Sequence, residues 1–427
     1  MNVTIEPSRE LAGTIKAPAS KSYTHRMLVA AALSEGRSKI SNPLTSEDSE
    51  ATVNAVRSFG AVVNPEKESW NINGRSILTA PDDVIYCGRS AATIRFITPV
   101  AALAHGISVL SGDAQLRRRP IGPLLQALRE LGVTCYTTRG GGYPPVIVFG
   151  GVIKGGTALI RGDISSQFVS GLLFAAPRAE CDVVIHLTTP LESRYYVDMT
   201  IDVLEKHGIK VRRDEDLREY YVSPRQAYKP TDHTVPGDYS SAAFILAAAA
   251  VTRSNVKVMD LERRSLQGDI AIVKMLSDMG ARLRVSENHV EIQGKEMSGM
   301  ELDVDQNPDL VPVLAVLGCY SKGKTVIHRA GRLRIKESNR LSSLQSELRR
   351  MGARIQVTND TVTVNGPTSL RGTTIDPHND HRIAMACCIA ALGAKGKTII
   401  ENAECVKKSY PTFYKDLAKI GVKVHGR

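Results

Sequence analysis

Aromatic residues are scarce, 5% of a 427-residue chain, and no stretch approaches the roughly 20 consecutive apolar residues that a membrane helix needs. The first shortage argues against a base-stacking nucleic-acid surface, and the second against a spanning helix. The seven cysteines (87, 135, 181, 319, 387, 388 and 405) show no CxxC spacing. Neither a zinc site nor a disulfide framework is therefore expected, and the thiols read as reduced and mostly buried. The opening MNVTIEPSRE carries acids and no apolar run, unlike a secretory signal or an arginine-rich transit peptide. With 42% hydrophobic and 23% charged residues, the expectation is a cytoplasmic, folded chain of two or three domains that uses no metal and no cofactor.

Positive charge is what the chain has in excess: 55 Lys and Arg against 44 Asp and Glu, a net +11. Such a balance suits nucleic acid, a membrane surface or a small acidic substrate. No dense basic tail is present, so the placement of the cations has to decide.

One string recurs six times. It reads VRSFGAVV, LRELGVTC, LEKHGIKV, LSDMGARL, LRRMGARI and LAKIGVKV, with glycines at 60, 132, 208, 280, 352 and 421. Each copy is a helix closed by a glycine in the left-handed cap, followed by a β-branched strand. A nearly constant period of about 70 residues means repeated architecture. A second, almost wholly apolar helix accompanies each copy, starting near Ser22, Ala91, Ser165, Ser240, Asp309 and His381. Such helices belong at the centre of a domain, and the amphipathic ones, such as LSSLQSELRRM, outside it. Each unit thus reads roughly βαβαββ. The proline-bearing stretch YKPTDHTVPG (228 to 237) divides the six units into three and three.

Small, hydroxylated or charged residues precede every inner helix: ASKS, GRSA, GDISSQ, GDYSS, QNPD and HNDHR. Side chains there cap the helix, and the free amides with the helix dipole form a ready anion site. Any one leader is most simply a cap; six of them aimed at one region would concentrate positive potential there.

The six units together with ASKSYTHR, GDISSQF, NPDL, IKESNRL, NDHR and KKSYP resemble the enolpyruvyl transferases over essentially the whole chain. The resemblance implies an α/β fold of two domains, each an inside-out α/β barrel of three βαβαββ units: 17–228, the shikimate phosphate side, and 1–16 with 229–427, the phosphoenolpyruvate clamp and catalytic carboxylates. The implied reaction moves the enolpyruvyl group of phosphoenolpyruvate onto the 5-hydroxyl of shikimate 3-phosphate, on the route to chorismate and aromatic amino acids. Its substrates are small molecules, with no nucleic acid or membrane as partner, and a monomer is expected. Lys21 resembles the lysine lying between both substrates, and Ser22 and Arg26 resemble contacts to the shikimate part. Ser165, Ser166, Gln167 and Ser193 match the phosphate cradle, with Gln167 reaching both ligands. Arg119, Arg340, Arg382 and Lys408 match the phosphoenolpyruvate clamp, where planar guanidinium suits carboxylate and phosphate. Asp309 matches the residue that binds the shikimate hydroxyls and is the candidate base; Lys336 resembles a shikimate contact. The proton donor stays open between Glu337 and Lys21, because cations around Glu337 favour a base over an acid. Asp380 and His381 read as orienting Arg382, and GDYSS, which lacks the glutamine, as a cap only.

Three departures stand out. Arg332 replaces a common asparagine and adds a cation near the shikimate contacts. Arg89 and Ala91 stand where the family has asparagine and glycine. The sister enzymes acting on UDP-N-acetylglucosamine carry Lys-Asn at Lys21-Ser22 and a reactive cysteine at Ala114, which disfavours that branch; a nucleic-acid-binding repeat protein is the other rival, and its cations should spread along a surface among aromatics. The Ala91 methyl points, on the resemblance, at the phosphoenolpyruvate pocket. Substrate is expected to fit there and the bulkier phosphonate glyphosate to fit poorly; strong inhibition by glyphosate, competitive with phosphoenolpyruvate, refutes that expectation.

Overall fold

The computed structural model describes residues 1–426. Two compact units emerge: residues 19–235, continuous in sequence, and a split unit made of residues up to Pro18 and those from Pro236 onward. Each has its own apolar core. The described residues form six sheets of four strands, three in each unit.

Within every sheet one pattern repeats. The first strand runs parallel to the second, which pairs antiparallel with a third, itself antiparallel to a fourth. In one sheet of the continuous unit these are Ile85–Tyr86, Gly106–Ser111, Val146–Gly150 and Thr134–Thr137. The helices follow the expected alternation. Inner helices are α1 (Lys21–Leu33), α3 (Ala91–Ala101), α5 (Ser166–Ala175), α7 (Tyr239–Val251), α9 (Val311–Tyr320) and α11 (His381–Leu392). Outer helices are α2 (Glu47–Arg57), α4 (Gly122–Glu130), α6 (Tyr195–Lys206), α8 (Ala271–Asp278), α10 (Arg340–Arg350) and α12 (Phe413–Lys419). Every residue of α7 from Tyr239 to Ala250 is buried, as a helix apolar all round requires. In α10, Leu341, Leu344 and Leu348 are buried while Ser342, Ser346 and Arg349 are exposed, the stripe of an outer helix. All six repeat glycines have positive φ, from +79° at Gly208 to +114° at Gly280, so a side chain there would be strained.

Two strands are exchanged between the repeats. Ala12–Lys16 runs into α1 but pairs with Asn255–Met259 in the split unit. His233–Thr234 runs toward α7 but pairs with Gly36–Ser41 in the continuous unit. Residues 229–235 therefore pack with the continuous unit, seven residues beyond the expected domain end at 228 and within the proline-bearing stretch 228–237, because that short strand completes a sheet. The strand Val3–Ile5 pairs with both Thr398–Ile400 and Val424–Gly426, so the start of the chain completes the last repeat.

Five inner helices carry a side-chain cap: Ser20, Ser90, Ser165, Asp238 and Asp380. α9 differs from the expected start at Asp309. A 3-10 turn, Pro308–Leu310, precedes it, and the helix opens at Val311 with Pro312 in its first turn, where a missing N–H costs nothing. Six thiols are buried and Cys181 is exposed, with all seven free.

Candidate active site

In the continuous unit the leaders of α1, α3 and α5 place most of the expected groups. Lys21, first residue of α1, pairs with Asp48 of α2 at 3.1 Å, and Ser22 follows it in the first turn. His25, one turn on, is buried and bonds Thr52 through Nδ1 at 2.7 Å. Burial holds its pKa down at about 3, so the ring is neutral and structural. Arg26 is 2% exposed. It donates to Thr200 (2.8 Å), to the Tyr196 carbonyl (2.8 Å) and to the Ser22 carbonyl (2.8 Å), and its guanidinium lies over the Phe96 ring at 5.1 Å. None of these acceptors carries a formal charge. Burial therefore lowers its pKa to about 10, which still leaves it a cation at neutral pH.

Ser165 caps α5 by accepting from the Gln167 amide at 3.3 Å. Ser166 opens the helix, and both serines are buried. Ser193 sits in the loop ahead of α6 with φ +55°, an uncommon conformation for a residue with a side chain. Arg119 follows the short 3-10 turn Leu116–Arg118 and is buried. Ala91 opens α3 behind its Ser90 cap.

Arg95 has no counterpart in the sequence reading. It is 4% exposed and donates to Ser165 Oγ at 3.1 Å, Gln167 Oε1 at 2.9 Å and the Pro120 carbonyl at 3.2 Å. One guanidinium thus ties α3 to the α5 leader and to the loop carrying Arg119. The available signal is a charge inside the apolar run TIRFITPVAAL. Tyr196, whose carbonyl and ring both meet Arg26, is the second such residue.

In the split unit the expected residues form one ion cluster. Arg340, 1% exposed, opens α10. It donates to Asp380 at 2.9 Å, Asp309 at 3.0 Å and Glu337 at 2.6 Å. Burial opposes its charge, but these three carboxylates push its pKa above the usual value. Arg382 reaches Asp309 Oδ2 at 3.1 Å and Ser240 Oγ at 3.1 Å. Lys408 lies 3.4 Å from Glu337, and Lys336 3.9 Å from Asp309. Burial raises the Asp309 pKa, yet Arg382, Lys336 and Arg340 outweigh it and hold the carboxyl well below the usual range. Burial lowers Lys336, with Asp309 opposing and Arg332 and Arg340 adding to the effect, to about 8. Asp380 accepts from the Arg382 amide at 3.0 Å, so it orients that residue's backbone while its charge serves Arg340. Arg332 donates to the Asp305 carbonyl at 2.7 Å, and Arg89 pairs with Asp113 at 3.0 Å. The GDYSS leader exceeds a cap: Asp238 caps α7, accepting from Ser241 N at 2.7 Å, while Ser240 engages Arg382. Among the described residues no group of three His, Cys, Asp or Glu is placed to hold a metal.

Comparison with known proteins bears on this constellation. The profile of the family described as EPSP synthase (3-phosphoshikimate 1-carboxyvinyltransferase) matches residues 5–417. The 3-phosphoshikimate 1-carboxyvinyltransferase of Methanothermobacter thermautotrophicus is 43% identical over 427 residues, covering 100% of both chains. That of Methanococcus vannielii is 41% identical over 424 residues, 98% of this chain and 99% of the relative. The structure of EPSP synthase from Acinetobacter baumannii superposes with a TM-score of 0.84 at 28% identity, covering 100% of both chains.

Removing Arg340 takes the guanidinium from the buried Asp380 carboxylate and one cation each from Asp309 and Glu337, which keep Arg382, Lys336 and Lys408. Arg340→Met is expected to destabilise the protein by about 3–5 kcal/mol, read as a lower urea midpoint. Arg340→Lys, which keeps the charge but not the fork, should lose less; midpoints equal to wild type for both contradict the cluster's structural role.

Proposed function

From the EPSP synthase family, to which this chain belongs, and from the two groups of residues just described, we propose a division of labour among its side chains. The chain is a 3-phosphoshikimate 1-carboxyvinyltransferase: it transfers the enolpyruvyl group of phosphoenolpyruvate to the 5-hydroxyl of shikimate 3-phosphate and releases phosphate. The sister reaction on UDP-N-acetylglucosamine is not favoured.

The continuous unit takes the phosphate of shikimate 3-phosphate. Ser165, Ser166, Gln167 and Ser193 cradle it at the mouth of α5, where free amides and the helix dipole favour an anion. Arg95 holds that leader in shape. Lys21, Ser22 and Arg26 bind the rest of the sugar acid, and Lys21 touches phosphoenolpyruvate as well. Arg119, with Ala91 and Gln167, supplies this unit's contacts to phosphoenolpyruvate.

The split unit supplies Arg340, Arg382 and Lys408 for the carboxylate and phosphate of phosphoenolpyruvate, and Lys336 and Asp309 for the shikimate hydroxyls. The observation that carries this reading is Asp309 placed among Arg340, Arg382 and Lys336. A carboxylate held so far down is a weak base in the free enzyme. Anionic phosphoenolpyruvate drawn onto Arg340 and Arg382 competes for the cations that stabilise the Asp309 charge, and so raises its basicity when substrate is in place. Asp309 then takes the 5-hydroxyl proton as that oxygen bonds C2 of phosphoenolpyruvate, and a proton reaches C3 from Glu337 or Lys21. Loss of phosphate and of a C3 proton from the tetrahedral intermediate completes the transfer. The chain acts as a cytoplasmic monomer; no helix among the described residues is long and apolar enough to cross a membrane.

Phosphate release from phosphoenolpyruvate tests the reading: it is expected with shikimate 3-phosphate and absent with UDP-N-acetylglucosamine, and the reverse refutes it. Lys21→Ala should fold normally and lose nearly all turnover; retention of wild-type kcat removes Lys21 from the chemistry. kcat/KM for shikimate 3-phosphate, which reports the free enzyme, should fall above about pH 8 as Lys336 loses its proton. Lys336→Arg, which stays charged, should lack that limb at whatever level it runs, and an identical profile in both enzymes assigns the limb elsewhere.

A further inference from the structure

We propose that Asp269, acting through the Ser240 hydroxyl, is a positioning residue that holds Arg382 ready for phosphoenolpyruvate. The inference rests on the reading that Arg382 binds that substrate.

Asp269 lies in the 3-10 turn Gly268–Ile270, ahead of α8, and is 4% exposed. Its Oδ2 accepts a short hydrogen bond from Ser240 Oγ. Ser240 Oγ in turn accepts from Arg382 NH2 at 3.1 Å. A serine hydroxyl has one proton. With that proton given to Asp269, a lone pair faces the guanidinium; without the carboxylate the O–H is free to turn toward Arg382 and oppose it. The carboxylate therefore sets the direction of the bridge.

The turn is itself anchored. Asn307 Nδ2 donates to the Gly268 carbonyl, Gln267 Nε2 donates to the Gly237 carbonyl at 2.8 Å, and Gln267 Oε1 accepts from the Tyr239 amide at 3.1 Å. Arg382 thus has two kinds of hold. Asp309 changes its charge during the proposed proton transfer, whereas Ser240 and Asp269 are outside that step and keep the fork in place.

Groups facing Asp269 include Asp238, the cap of α7, Ser240 from α7, Asp309 from the turn before α9, and Arg382 from α11. Burial first, then the Asp309 charge, push its pKa up to about 6, against the pull of Arg382 and Ser240. Protonation below that pH removes the fixed acceptor and loosens the bridge.

Steady-state kinetics of the full-length enzyme test the proposal with Asp269→Asn, which keeps the shape but can turn its N–H2 donor to Ser240 and so no longer fixes the direction of the hydroxyl proton, and with Ser240→Ala. Both should raise the KM for phosphoenolpyruvate about tenfold, the loss of one hydrogen bond to a charged group, with the KM for shikimate 3-phosphate within about twofold of wild type. The double variant should be no worse than Ser240→Ala alone. Below about pH 6 the KM for phosphoenolpyruvate should climb more steeply in wild type than in Asp269→Asn, a comparison from which the substrate's own titration cancels. Thermal melts identify which variants fold, and either single variant suffices. If a folded variant keeps the wild-type KM and pH dependence while Arg382→Lys raises the KM for phosphoenolpyruvate, the role of Asp269 is overturned and that of Arg382 stands. If Arg382→Lys also leaves that KM unchanged, the reading of Arg382 fails and the inference with it.

Discussion

A single guanidinium shared by three carboxylates organises the split unit. Arg340 is the first residue of α10, Glu337 stands three residues before it, Asp309 lies in the turn ahead of α9, and Asp380 caps α11. The cluster therefore pins three helix starts to one point. Burying so many charges is tolerable only if each is paired and hydrogen-bonded, and the pairing sets the acid–base state of the neighbours. Asp309 is held anionic by Arg382, Lys336 and Arg340. Structure and reactivity in this unit are consequences of one charge balance.

The continuous unit solves the burial of charge differently. The acceptors identified for Arg26 and Arg95 are hydroxyls, carbonyls and an amide, with the faces of Phe96 and Phe168 beside the guanidiniums. Neutral acceptors satisfy the N–H groups but leave the positive potential standing, and aromatic faces reduce its cost. The helix caps follow the same division: serines at α1, α3 and α5, aspartates at α7 and α11. A serine caps without cancelling the positive end of the helix, whereas an aspartate neutralises it. The positive ends of the serine-capped helices thus stay available to an anion.

The sequence showed the repeats because they rest on local chemistry. Gly60, Gly132, Gly208, Gly280, Gly352 and Gly421 each need the left-handed cap, and a cap is written within a few residues. Motif residues such as Lys21, Asp309 and Arg382 were legible for the same reason, since each lies at a helix start. Arg95 was not, because an arginine inside TIRF reads equally as a solvated charge; only the fold brings Ser165, 70 residues later, to its guanidinium. Asp269 and Ser240 were missed likewise, their meaning depending on Arg382, 142 residues beyond Ser240. The boundary at 228 missed the strand at His233–Thr234, two residues long and paired with Ile40–Ser41 across most of the unit.

The two nearly identical leaders GDISSQ and GDYSSA open their helices in different registers. In the first the helix starts at Ser166 and Ser165 is the cap, while Asp163 turns away to Arg161 and Thr189. In the second the helix starts two residues earlier in the aligned string, at Tyr239, and Asp238 is the cap. That offset places Ser165 and Ser166 at the mouth of a helix whose positive end stays available, and Ser240 as the second residue of a helix whose end a carboxylate has filled. Ser240 there lies between the Asp269 carboxylate, to which it donates, and Arg382, from which it accepts. Four shared letters, Gly, Asp, Ser and Ser, thus leave a serine-capped helix end in one unit and a serine bonded to Arg382 in the other, and the register of the helix start decides which.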